Sequence, residues 1–89
     1  MMFAIVWVQN ALDELADVFV EAELTEQDRM TSGIEALNRR LTIEPNDEGE
    51  SRWNGYRVTF PHGLVVIFHV NIEDQIVHVM RVKRSGRAL

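Results

Sequence analysis

Six cationic side chains, Arg52, Arg57, Arg81, Lys83, Arg84 and Arg87, lie between Ser51 and Leu89, where only Glu73 and Asp74 oppose them. A guanidinium can grip two phosphate oxygens at once and stabilise charge that develops during phosphoryl transfer, so such a group has the makings of an anion site. Charged residues at strand ends also stop an exposed sheet edge from pairing, and that plainer reading stands beside the first. Trp53 and Tyr56 adjoin Arg52 and Arg57. They offer either an aromatic surface for a nucleobase beside a phosphate clamp or ordinary packing, which is the favoured reading for Tyr56.

Two histidines add a proton-transfer possibility. His69 and His78 face each other across the last hairpin if its turn is the pair Glu73 and Asp74, whereas a three-residue turn separates them. His69 projects from an apolar, central-looking strand and is the candidate general acid or base; a packed or hydrogen-bonded histidine is the alternative. The spacings among His62, His69 and His78 match no local metal-ligand pattern, and there is no cysteine. No metal or other cofactor is expected. A phosphate loop, a dinucleotide fingerprint and a serine in a nucleophile-elbow context are all missing.

The charge is divided along the chain. Residues 1–50 carry twelve acidic and three basic side chains, a formal −9, and residues 51–89 carry six basic and two acidic, a formal +4, so the net −5 hides a basic half able to meet an anionic partner. Asp13, Asp17 and Glu21 recur four apart on one helix face, which reads as a solvated face.

These side chains need a scaffold, and 89 residues suffice for one domain, 1–89, with a single core. Met1 to Val8 is too short to span a bilayer and has no basic flank, so a soluble, cytoplasmic protein is expected, in keeping with the absence of cysteine. Phe3 to Val8 is apolar on both sides and reads as a strand inside a sheet. Asn10 stands where a helix cap is wanted, and Leu12, Leu15, Ala16, Phe19 and Val20 have helical spacing to about Glu21. Thr25 and Asp28 begin a second helix whose stripe, Met30, Ile34, Leu37 and Leu41, ends before Pro45. Gly33 within that stripe implies the close approach of another backbone. Tyr56, Val58 and Phe60 alternate with Arg57 and Thr59; Leu64 to Val70 is apolar on both faces and central; Ile76 to Val82 alternates again. The expected fold is α+β, in the order β-α-α-β-β-β: a twisted, mainly antiparallel sheet with a helical hairpin on one face and the basic residues over the other.

The element order and five segments resemble the RelE/ParE superfamily of toxins from bacterial type II toxin–antitoxin systems. The segments are FAIVW at Phe3 to Trp7 followed by ALDEL at Ala11 to Leu15, GESRWNGYRV at Gly49 to Val58, GLVVIFHV at Gly63 to Val70, and VHVMRVKR at Val77 to Arg84. The resemblance spans nearly the whole chain. It implies a plasmid-stabilisation type of toxin bound by a cognate antitoxin, acting either as a metal-independent endoribonuclease on ribosome-bound mRNA (an mRNA interferase) or as an inhibitor of DNA gyrase without catalysis. A degenerate homologue that only engages an antitoxin is a further alternative.

By the resemblance, Arg57 and Arg81 would be catalytic, and Arg52, Arg84 and Arg87 would bind RNA. His69, on the same strand face as Val65, is this chain's own candidate catalytic acid or base, and Trp53 and Lys83, beside these cations, are its further candidate nucleic-acid contacts. Ribonuclease members often carry an arginine early in the central strand, where this chain has Val65, and a tyrosine or histidine near the C-terminus, where it has neither.

Overall fold

The computed structural model describes residues 2–85. The chain runs β1 (Ala4–Trp7), α1 (Gln9–Glu21), α2 (Leu24–Ile43), a 3₁₀ turn (Pro45–Asp47), β2 (Glu50–Ser51), β3 (Tyr56–Thr59), β4 (Leu64–Asn71) and β5 (Ile76–Arg84). The strands form one mixed sheet in the order β1-β5-β4-β3-β2. β1 is parallel to β5, and the remaining neighbours are antiparallel. This is the expected α+β arrangement with a helical hairpin, extended by the two-residue strand β2.

Both helices begin earlier than their sequence signals suggest. α1 follows Val8 and α2 follows Glu23, with no side-chain cap at either, so Asn10 and Thr25 lie within first turns. Gln27 secures the junction instead, its amide donating to the carbonyls of Phe19 and Ala22. Pro45, which cannot continue the helix, opens the 3₁₀ turn after α2.

The core lies between helices and sheet. Ala11, Met30, Leu37 and Leu41 pack with Leu64, Val66, Phe68 and Val70 of β4 and Val77, Val79 and Val82 of β5. As expected, β4 is central and apolar on both faces. β1, expected inside the sheet, is instead an edge strand. Its apolar character has two sources. Ile5 and Trp7 pack toward the core, with the Trp7 indole donating to Asn38 of α2 at 3.1 Å, while Val6 on the other face remains exposed.

The approach to Gly33 is made by a side chain and not by a backbone. A Cβ at this position would lie 2.7 Å from Cδ2 of His62. No helix among the described residues is long and apolar enough to cross a membrane.

Candidate functional site

Strand register decides which candidates share the uncovered face. Tyr56 is opposite His69 and Val58 opposite Ile67. His69 is opposite His78, Ile67 opposite Arg81, and Val65 opposite Lys83. Cross-strand partners point to the same side, so these residues form the open face. Arg57 and Thr59 pair with the core residues Phe68 and Val66 and point to the side that bears the helices.

The last hairpin turns through Glu73 and Asp74, closed by the Gln75 amide donating to the Ile72 carbonyl at 3.3 Å, and this parity brings the two histidines opposite each other. Further along, the ladder steps from Phe68–Val79 to Ile67–Arg81, leaving Met80 as an extra residue. This bulge lets Val79 and Val82, three apart, both enter the core, and it moves Arg81 to the open face.

A groove of about 370 Å³ on that face is lined by Arg52, Trp53, Tyr56, Val58 and Ile67. Asn54 and Gly55 both have left-handed backbone (φ 54° and 81°) in the tight turn that joins β2 to β3, which places Trp53 at the rim with 73 % of its surface exposed. Tyr56 meets His69 edge to face at 4.8 Å between ring centroids. His69 Nε2 is 2.9 Å from the Asn54 carbonyl oxygen, which can only accept, so this nitrogen carries the proton and the ring is tied to the turn.

Most of the candidate cations are engaged within the protein itself. Arg57 donates from Nε to the Glu48 carbonyl at 2.8 Å and from Nη2 to that of Gly49 at 3.2 Å, bracing the connection from α2. Arg81 and Lys83 are rooted on the open face, yet both heads reach Glu14 of α1, at 3.1 Å and 2.5 Å. Arg84 pairs with Glu26 of α2 at 2.5 Å. Arg52 makes a loose 3.5 Å contact with Glu50 and borders the groove. Arg87 lies outside the described residues.

Glu14 is the residue that the reading of the cations did not single out. β1 ends at Trp7, beside Val79, and beyond it the edge of β5 would present an unpaired Val82 amide. α1 starts there, and Glu14 Oε1 accepts that amide at 3.0 Å while its carboxylate holds the two cations. Burial would raise the Glu14 carboxyl, but the hydrogen bonds from Arg81, Lys83 and the Val82 amide outweigh it and hold the group at about 2, well below the usual carboxylate range. The ion pair correspondingly raises Arg81.

A second carboxylate, Glu48, takes Arg40 in a bidentate pair at 2.7 and 3.2 Å and accepts the Thr59 hydroxyl at 2.5 Å; its titration is lowered, chiefly by Arg40. Among the described residues no group of three or more His, Cys, Asp or Glu is arranged to hold a metal ion.

No protein-family model and no curated protein matches the sequence. Solved structures do match. A chain of the chromosomal ParDE toxin–antitoxin system from P. aeruginosa superposes with a TM-score of 0.71 at 18 % identity, over 93 % of this chain and 96 % of that one. A chain of the RelBE2 toxin–antitoxin complex from Mycobacterium tuberculosis gives 0.69 at 14 % identity, over 94 % and 99 %. The isolated E. coli RelE toxin gives 0.63 at 15 % identity, over 97 % and 87 %. With a helical hairpin on one side of a five-stranded sheet and coverage this complete on both sides, the chain has the fold of the RelE/ParE toxins of type II toxin–antitoxin systems.

Proposed function

We propose that the protein is the toxin-side member of a type II toxin–antitoxin pair, held by a cognate antitoxin, and that it acts by binding its target, in the manner of a gyrase inhibitor, and not by cutting RNA. The observation that carries this reading is the engagement of both candidate catalytic arginines by the protein itself. Arg57 is bound to backbone carbonyls on the helix-bearing side, and Arg81 is bound to Glu14. Cleavage without a metal uses the ribose 2′-hydroxyl as nucleophile and depends on preorganised cations to stabilise the phosphorane-like charge. Cations already committed to internal acceptors supply little of that.

Ribosome-dependent cleavage is the second reading, and one observation favours it: Arg52, Trp53 and Tyr56 line one groove, with His69 against Tyr56. There Arg52 would hold a phosphate, Trp53 would stack a base and His69 would move a proton after releasing Asn54.

One induction experiment tests both. Cells expressing the protein are assayed for mRNA cuts by primer extension and for gyrase-dependent DNA breaks, with and without the gene next to it as candidate antitoxin. Growth arrest with DNA breaks and intact message is expected. Discrete message cuts that disappear in His69→Ala overturn the binding-only reading, and unimpaired growth overturns toxicity.

A further inference from the structure

Glu14 has the geometry of a latch. Arg81 and Lys83 arise from the open face opposite Ile67 and Val65, yet their heads leave that face and converge on one carboxylate at the β5 edge. The carboxylate is itself held in place, because it accepts the Val82 amide and only 11 % of its side chain is exposed. The cations are less confined, at 38 % and 34 % exposure, so the mobile partners of the cluster are the two long basic side chains. Released from Glu14, their stems can swing back over the open face, where Arg81 would stand next to Ile67 in the groove lined by Arg52 and Trp53.

On the far side of the edge the recess is lined by Glu14, Asp17 and Glu21 together with Lys83 and Arg84, and its excess of carboxylates disfavours an anion there and directs any such ligand to the open face. We propose that Glu14 is an intramolecular counter-anion that masks a binding site for phosphate-type oxyanions, formed on the open face by Arg81 and Lys83. The inference goes beyond the binding-only reading of the function and does not depend on it, since it concerns what the two cations do once the carboxylate is neutral.

Tripolyphosphate, titrated against the isotopically labelled protein by two-dimensional NMR at low salt, is the probe. Glu14→Gln keeps an oxygen for the Val82 amide and removes the charge. It should bind tripolyphosphate at least about tenfold more tightly than the parent protein, the scale of one charge-assisted contact, with shifts centred on Val65, Ile67 and the Arg81 side chain. Glu73→Gln, an equal charge change at an exposed position in the distant hairpin turn, should behave like the parent. Adding Arg81→Gln and Lys83→Gln to the Glu14 variant should abolish the gain. Equal affinities for the two single variants, or a gain that survives loss of both cations, would overturn the proposal. The same spectra report whether each variant is folded.

Discussion

Replacing Glu14 by Gln should make the stability of the protein less sensitive to acid. The carboxyl titrates at about 2 in place of 4.5. Because its folded-state value is depressed, its contribution is complete above the unfolded value and declines as pH falls through 4.5 toward 2. A depression of that size corresponds to at most about 3 kcal/mol. Arg81 and Lys83 remain about one-third exposed, and solvent screening brings the figure to about 1–2 kcal/mol.

Urea unfolding followed by circular dichroism at about pH 6 and about pH 3 isolates this contribution, because other carboxylates such as Glu48 are common to both proteins and cancel in the difference. The parent should exceed the variant by about 1–2 kcal/mol at the higher pH, and more than half of that gap should close at the lower. A gap that is the same at both pH values would show that Glu14 acts through packing or the Val82 bond alone, and the electrostatic argument would fail.

Further outcomes follow from single contacts. Thr59→Val removes the hydroxyl donated to Glu48 within a buried site and should cost about 1–2 kcal/mol in the same unfolding assay. Gly55→Ala places a Cβ 3.0 Å from His69 Nε2 at a φ of 81°, and a loss of at least about 1 kcal/mol is expected, with perturbed His69 ring resonances in NMR. Gly33→Ala alone should not realise the helix-propensity gain because of His62, whereas in a His62→Ala background it should add about 0.5–1 kcal/mol; a coupling of zero between the two sites would contradict the contact. Trp53→Phe should leave stability within about 0.5 kcal/mol while removing the acrylamide-quenchable part of the tryptophan emission, since Trp7 is packed and Trp53 is exposed.

Local pattern alone determined a good deal about this protein. Helical spacing located both helices, and Pro45 marked the end of the second. Apolar residues on both faces marked β4 as central, although the same signal misplaced β1, and a two-residue Glu73–Asp74 turn was one of two parities the sequence allowed, the one that sets His69 against His78. Each of these depends on neighbours within a few residues.

The candidate site depended on decisions made at longer range. A period of two says that Tyr56 and Val58 share a face and that Arg57 and Thr59 share the other, but it does not say which face the helices cover. Here the apolar pair lines the open groove, and the polar pair turns under, where Glu48 and Gly49 receive it. An extra residue at Met80 reverses the parity of β5, so Arg81 joins the open face although simple alternation would group it with Val77 and Val79. Glu14 meets Arg81 across 67 positions of sequence, a pairing created only because β1 stops at Trp7 and α1 takes its place along the β5 edge. Charge counts measured how many cations the second half holds; only packing determined which of them a carboxylate already occupies.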